Sequence, residues 1–97
     1  MGLPKSKFPL GRIVVTKGVS EFSGRNPDFA PFSAICLHSK FGQGDWGNVC
    51  DDDKEANNEA LKDGGMVLGS YKFNGTEIWI ITDSDRKTTT ILLPEEY

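Results

Sequence analysis

Residues 65–97 read GMVLGSYKFNGTEIWIITDSDRKTTTILLPEEY, and this stretch decides the fold class. Apolar and polar residues alternate through most of it, as in strands that bury one face. Asn74-Gly75 interrupts the alternation, and an Asn-Gly pair accepts the positive φ angles of a two-residue hairpin turn. A second compact, charged break follows at Asp83–Arg86. The pattern predicts a three-strand antiparallel meander, with strands at about 66–73, 76–82 and 88–93.

The beginning of the chain predicts an extended segment and one more strand. Residues 1–10 contain two prolines and are expected to be extended. Arg12–Thr16 is short and β-branched, which favours a strand that ends at Lys17-Gly18. Val19–Gly24 carries only a weak helical signal, so we count no helix there.

Two helices are predicted between the first strand and the meander. Asn26-Pro27-Asp28 has residue types that begin helices, and apolar side chains then recur at three-to-four spacing through about His38. Asp51 or Asp52 can cap a second helix, and Gly64-Gly65 would end it. The predicted helices cover about 28–38 and 52–63.

This element order, β-α-α-β-β-β, predicts an α+β fold in which helices pack on one face of an antiparallel sheet. A chain of 97 residues has room for one core, so we expect a single domain over 11–97 after the extended segment. Trp79 and its aliphatic neighbours are expected to form the platform beneath the helices.

Composition limits the classes of partner and the compartment. The net charge of -3 and the sequence pI near 5.0 argue against a general nucleic-acid binder. The first strand region is nevertheless locally basic, for which a solvated face is the simpler interpretation. Its basic residues are Lys5, Lys7, Arg12 and Lys17.

Two cysteines are too few for a disulfide scaffold, and we expect Cys36 to be a small buried hydrophobe. The chain has no long apolar segment, so we predict a cytoplasmic protein that does not enter a membrane. Residues 1–6 match the pattern M-G-x-x-x-S of N-myristoylation, which is short enough to arise by chance.

The turn at Asp83–Arg86 invites a catalytic interpretation. An apolar strand followed by D-x-D is found in phosphoaspartate hydrolases, but the chain lacks the parallel sheet and the later motifs of those enzymes. Asp83 and Asp85 more simply stabilise a turn through backbone amides. Arg86 stays open as a ligand for a carboxylate or phosphate.

His38 is the only histidine, and Asp45 could orient it as a general base. A helix-end or surface histidine is the structural alternative. Thr89 could contact a phosphate, although threonine is common in strands. No residues have the spacing of a zinc or calcium site, and no cofactor motif is present, so we expect neither metal nor cofactor.

Gly44-Asp45-Trp46-Gly47 places two glycines around one large ring. Such glycines indicate backbone with unusual φ and ψ angles, which would either present or bury the indole. Two alternatives stay open: Trp46 is an exposed anchor for a partner, or it seals the core beneath a loop.

These residues also resemble those of a family of small bacterial proteins carried on plasmids, prophages and other mobile elements. The shared pattern is a His before G-D-W-G, a helix with acidic residues at its start, S-Y, and W-I-I-T-(E/D)-x-D-R-x-x-T-T-x-L-L-P-x-E-Y. It maps onto His38, Gly44–Gly47, Asp52, Asn57, Ser70-Tyr71, Trp79–Thr82, Asp85-Arg86, Thr89-Thr90 and Leu92–Tyr97. The resemblance implies a mobile-element setting and no particular reaction.

Two functional hypotheses follow. The favoured one is a non-enzymatic accessory protein that binds a protein partner. Action against host defence, and mimicry of nucleic acid by its acidic helix, are two forms that this hypothesis can take. Its contact residues would be His38, Asp45, Trp46, Asp85 and Arg86. The alternative is a small ribonuclease like the RelE/ParE-type toxins, with which the element order agrees, using His38, Arg86 and Thr89.

Overall fold

The computed structural model describes residues 5–97, which form a four-stranded mixed sheet with helices on one face. The strands are β1 (Arg12–Val15), β2 (Val67–Phe73), β3 (Thr76–Thr82) and β4 (Thr88–Leu92). The helices are α1 (Lys17–Arg25), α2 (Phe29–Ile35) and α3 (Asp51–Asp63). The order across the sheet is β1-β4-β3-β2, so the first two strands of the chain occupy the two edges.

The predicted meander is confirmed. β2 and β3 pair antiparallel in a register that joins Phe73 to Thr76, which leaves Asn74 and Gly75 as a two-residue turn. Both turn residues have positive φ, 49° for Asn74 and 82° for Gly75. This is the mirror-type turn that Asn-Gly favours, because its twist matches that of the flanking strands.

The sheet is mixed, so the prediction of an antiparallel sheet is wrong for one of its strand pairs. β1 runs parallel to β4, with Ile13 opposite Thr89 and Val15 opposite Ile91. Parallel neighbours need a long crossover, and here all three helices and two strands lie between them in the chain. The local residue pattern of β1 does not indicate which strand it pairs with or in which direction.

α1 is a complete helix, although its residues carry only a weak helical signal and no helix was predicted there. The side chain of Thr16 caps it by accepting a hydrogen bond from the amide of Val19 at 3.3 Å. Val19 is 1% exposed and belongs to the core. Two glycines and two serines lower the helical propensity of this segment, and burial of its apolar face compensates for that.

The other two helices are confirmed with a change in the first. The segment predicted as a helix over 28–38 contains α2 and then a π-helical turn, Cys36–Lys40, before a short 3₁₀ turn at Phe41–Gln43. The wider turn lets both Cys36 and Leu37 point into the core. α3 agrees closely with the prediction and ends at Gly64, whose φ is 87°.

The helices cover the sheet face that carries Ile78, Ile80 and Ile91, which share one apolar core with side chains of α1, α2 and α3. The expectation that Trp79 forms the platform under the helices is therefore wrong. Successive strand residues face opposite sides, so Trp79 lies on the other face, 5.7 Å from the ring of Tyr97.

Glu77 organises the face that carries Trp79. Its carboxylate accepts hydrogen bonds from the Trp79 indole at 2.8 Å and from the Ser70 hydroxyl at 2.7 Å. These bonds hold the pKa of Glu77 below its usual value, because they favour the charged carboxylate.

The edge of β2 is closed at Leu68 and Ser70 by hydrogen bonds from outside the sheet, while the outward backbone groups of Lys72 have no such bond among the described residues. The side-chain amide of Asn57 in α3 donates to the carbonyl of Leu68 at 2.8 Å and accepts from its amide at 3.1 Å. Two residues further on, Ser70 donates to the Trp46 carbonyl and accepts from the Asn48 amide. The outward backbone groups of Leu68 and Ser70 are therefore satisfied.

The beginning of the chain is described only in part. Residues 5–10 form neither helix nor strand, and the backbone bends at Lys7 and Phe8. Residues 1–4, which carry most of the myristoylation pattern, lie outside the described residues. Between residues 5 and 97, none of the helices combines the length and the apolar character needed to cross a bilayer.

Replacing Asn57 by alanine should destabilise the protein by about 2–3 kcal/mol, because it leaves two backbone groups of Leu68 without partners. Urea denaturation of the variant measures this loss. Glu59→Ala, at an exposed position of the same helix, is the control and should change stability by less than about 0.5 kcal/mol. Equal effects of the two substitutions would contradict the role given to Asn57.

Candidate functional site

The predicted catalytic and ligand residues are not assembled into one constellation. No side-chain hydrogen bond within residues 5–97 joins any two of four candidates. The four are His38, Asp45, Arg86 and Thr89. Each lies in a different part of the structure. Asp45, Arg86 and Thr89 make hydrogen bonds that stabilise the fold, whereas His38 lines a groove.

Arg86 ties the end of α3 to the sheet. Its guanidinium donates to the backbone carbonyls of Ala60 at 3.1 Å, Gly65 at 2.7 Å and Asp83 at 3.1 Å. Its central carbon lies 5.8 Å from the ring centre of Phe8, within the range of a cation–π contact. Most of the guanidinium N–H groups are thus bonded to backbone carbonyls, which leaves few of them to bind an external anion.

Thr89 is fully buried, so it cannot contact a phosphate in solution. Its hydroxyl donates to the carbonyl of Leu10 at 2.6 Å. The hydroxyl of Thr82, also fully buried, lies 2.7 Å away. Since a carbonyl can only accept, Thr89 gives its proton to Leu10 and Thr82 donates to Thr89. The pair fastens the extended segment to the sheet.

Trp46 seals the core and is not an exposed anchor. It is 2% exposed, and its ring lies 5.5 Å from that of Phe41 and 6.1 Å from that of Phe8. Its indole N–H donates to the side-chain oxygen of Asn58 at 3.0 Å. Of the two alternatives for this residue, the buried plug is confirmed. The prediction of a partner contact at Trp46 is wrong, because the indole has no surface to offer.

The loop around Trp46 needs its second glycine. Gly47 has a φ of 74°, and a Cβ at this position would lie 2.0 Å from the carbonyl oxygen of Ser70. The exposed Asp45 supports the turn by accepting the Gly47 amide at 3.1 Å. Its carbonyl accepts the buried hydroxyl of Tyr71 at 2.7 Å. Burial, followed by the negative charge of Asp45, raises the pKa of Tyr71.

The D-x-D turn has the structural form expected of it. The carboxylate of Asp85 accepts the Lys87 amide at 2.9 Å, and the carbonyl of Asp83 accepts the Arg86 amide. Both aspartates are exposed at the tip of the turn. Their arrangement is that of a turn stabilised by a side chain.

The acidic residues of α3 also have a structural explanation. Asp51, Asp52 and Asp53 occupy the first turn, where negative charge stabilises the helix dipole. All three are exposed. The nucleic-acid-mimicking role suggested for this acidic face stays a prediction.

Both cysteines are free thiols, Cys36 buried and Cys50 exposed. Residues 5–97 contain no group of three or more His, Cys, Asp or Glu side chains that could hold a metal ion. Cys36 is buried, as predicted, and burial raises the pKa of its thiol. A raised pKa disfavours the reactive thiolate.

His38 is the exception among the candidates, because it lines a groove. This groove of about 520 Å³ lies between the extended segment, β1 and the π-helical turn. Phe8, Leu10 and Ile13 form much of its apolar lining, and Lys5 and Lys7 also border it. Its volume falls within the range of ligand pockets, about 300–1,000 Å³.

The groove adjoins a sheet edge that is open. Arg12 and Thr16 donate their amides to the carbonyls of Lys87 and Ile91 in β4. Backbone groups alternate in direction along a strand, so the amides and carbonyls of Ile13 and Val15 point away from the sheet. Among residues 5–97, no hydrogen bond satisfies these outward groups.

The side chains on this edge are exposed as well, Ile13 by 40% and Val15 by 51%. Sequence analysis missed both residues. Their β-branched character predicts a strand, but edge position depends on the order of strands in the sheet. The available signal was the position of these β-branched residues among basic neighbours.

Comparison of this chain with models of protein families, with curated protein sequences and with solved structures found no match. The arrangement of the site is therefore interpreted from its own geometry.

Replacing Thr89 by valine should destabilise the protein by about 2–3 kcal/mol, because the Thr82 hydroxyl and the Leu10 carbonyl both lose their partner. Thr82→Val is the matched control: it removes one bond but leaves Thr89 paired with Leu10. We expect it to cost about 1 kcal/mol. Chemical denaturation of both variants measures the difference, and an equal loss would contradict the proton assignment.

Proposed function

We propose that this chain is a non-enzymatic protein-binding module that accepts a partner's strand along the open edge of β1. The resemblance of its sequence to proteins of mobile elements supports a bacterial accessory role. The cytoplasm is the expected location. In this proposal the partner contributes an extended segment, which continues the four-stranded sheet by one strand.

The observation that carries the proposal is the unequal treatment of the two sheet edges. At β2, Asn57 and the segment around Trp46 satisfy the outward groups of Leu68 and Ser70. At β1, the outward groups of Ile13 and Val15 have no such partners within the described chain. An open edge is a template for strand addition, and folded proteins usually block such edges.

The exposed side chains of β1 indicate a surface that binds a partner strand. Natural edge strands are commonly protected by inward-pointing charges, prolines or bulges. β1 has β-branched Ile13 and Val15 instead, both on the face that the helices cover elsewhere. A paired strand would bury these side chains and satisfy the backbone at the same time.

The ribonuclease alternative draws no comparable support. It requires His38, Arg86 and Thr89 to face one substrate. The hydroxyl of Thr89 is buried against Leu10, and the guanidinium of Arg86 holds backbone carbonyls. His38 lies in the groove with Lys5 and Lys7, apart from the bonds that hold Arg86 and Thr89.

A proline at Val15 tests the edge. The Val15 amide points outward, so Val15→Pro removes no bond to β4 but blocks pairing with an added strand. Affinity capture from a host that carries the gene should recover a stoichiometric partner with the wild-type chain, and Val15→Pro should lose it. Circular dichroism and thermal unfolding establish that the variant is folded.

Lys72→Pro is the matched control, because Lys72 is exposed on β2 and its amide points away from β3. This variant should retain the partner. Retention by Val15→Pro, or loss by both variants alike, would contradict the proposed site. If Val15→Pro does not fold, hydrogen exchange of the wild-type complex decides: the partner must slow the amides of Ile13 and Val15.

A further inference from the structure

We infer that the strand received by β1 is an acidic, extended peptide segment with apolar side chains at alternate positions. This inference rests on the proposed function and adds the chemistry of the partner. The charges around the edge, the apolar groove beside it and the poor fit of a second copy carry it.

The open edge lies in a basic part of an acidic protein. Arg12 begins β1, Lys17 follows it, and Lys87 lies beside its first residue on β4. Lys5 and Lys7 border the groove next to Ile13. All five side chains are exposed. At the other end of β1, the exposed carboxylate of Glu96 accepts hydrogen bonds from Thr16 and Gly18 and offsets the charge of Lys17. A carboxylate on an added strand would therefore meet cations near the start of β1, beside Arg12.

The acidic first turn of α3 does not cancel this local field. Acidic α3 contacts β2, at the far side of the sheet. Three strand spacings separate the two edges, about 14 Å. The screening length at physiological salt is about 8 Å, so the charges of α3 act only weakly at β1.

A second copy of this chain fits the edge poorly. Antiparallel pairing of two β1 strands about their centre would place Arg12 of each copy opposite Val15 of the other, two residues before Lys17, so that two basic edges face each other. Like charges that face each other across strands are destabilising. Charge complementarity therefore selects a negatively charged partner in place of self-association.

The groove accounts for the apolar part of the partner. Phe8, Leu10 and Ile13 line it next to the start of β1. In strand addition, backbone bonds supply affinity while alternate side chains enter pockets and supply specificity. One alternate set of apolar side chains can cover Ile13 and Val15 and reach this groove, while the other set carries the carboxylates.

The test uses a random library of short displayed peptides, selected on the immobilised wild-type chain at low salt. Enriched peptides should carry an excess of Asp and Glu over the unselected library, with β-branched residues at alternate positions. The most enriched peptide is then synthesised and its dissociation constant measured by fluorescence anisotropy. Raising the salt from about 0.01 M to about 1 M should weaken binding, since the screening length falls from about 30 Å to 3 Å.

Reversing the charge at the edge gives the sharpest result. The double variant Lys7→Glu, Arg12→Glu should bind the acidic peptide about tenfold more weakly or worse, a loss of at least about 1.4 kcal/mol. The matched control, Lys62→Glu with Lys72→Glu, changes the net charge equally but on α3 and β2. It should bind like the wild type.

Two further measurements separate this inference from the proposed function. Val15→Pro, and a peptide with N-methyl groups on alternate residues, both block strand pairing without changing charge. If both changes abolish binding but the enriched peptides are neutral or basic, the edge site is supported and the acidic partner is overturned. Acidic peptides that bind regardless of both changes would overturn the edge site as well.

The remaining outcomes also decide the matter. Failure to enrich any peptide, or equal affinity of the edge variant and its control, would overturn the inference. Concentration-dependent dimerisation that Arg12→Glu strengthens would point to a second copy as the occupant. Dependence on both charge reversal and strand pairing is the result that supports the inference.

Discussion

Every edge strand of a sheet carries backbone amides and carbonyls that need hydrogen-bond partners, and this requirement shapes both sides of the molecule. At β2 the partners come from within the chain. Asn57 brackets Leu68, and the loop held by buried Trp46 pairs with Ser70. This closure explains why α3 packs beside β2 and why Gly47 must approach the sheet so closely. The remaining edge, at β1, is the one left for interaction.

The extended segment before β1 links this edge to the core. Phe8 packs against Phe41 and Trp46, and the carbonyl of Leu10 accepts the Thr89 hydroxyl. At the other end of β1, the exposed Glu96 accepts hydrogen bonds from the side chain of Thr16 and the amide of Gly18. β1 is thus fixed at both ends to the C-terminal part of the chain, which leaves its outer side as a rigid template.

The sequence predicted the parts of the fold that depend on local chemistry. Asn74-Gly75 determined the hairpin, and Gly64 marked the end of α3, because positive φ angles restrict the residue types at such positions. The parallel pairing of β1 could not be predicted, since its register with β4 depends on residues about 76 positions apart, as for Arg12 and Thr88. The face occupied by Trp79 was misassigned for a similar reason: alternation separates two faces but does not say which one the helices cover.

The candidate site was predicted less well than the fold. Trp46, Arg86 and Thr89 attracted attention because such residue types often bind ligands, yet each is used by the structure itself. A buried indole, a guanidinium on helix carbonyls and a hydroxyl beneath a strand are recognisable only once the partners are known. Only His38 and the basic residues around β1 were both visible in the sequence and placed beside the open edge. The exposure of Ile13 and Val15 follows from strand order, which no local pattern encodes.

Hydrogen exchange of the backbone amides in the isolated wild-type chain tests the central claim most directly. The account predicts slow exchange at Leu68 and Ser70, whose amides are held by Asn57 and the Trp46 carbonyl. It predicts exchange near the rate of an unstructured peptide at Ile13 and Val15, while Arg12 and Thr16, which flank them, are protected. Protection of Ile13 and Val15 as strong as that of Leu68 and Ser70 would mean that both edges are closed, and would contradict the account.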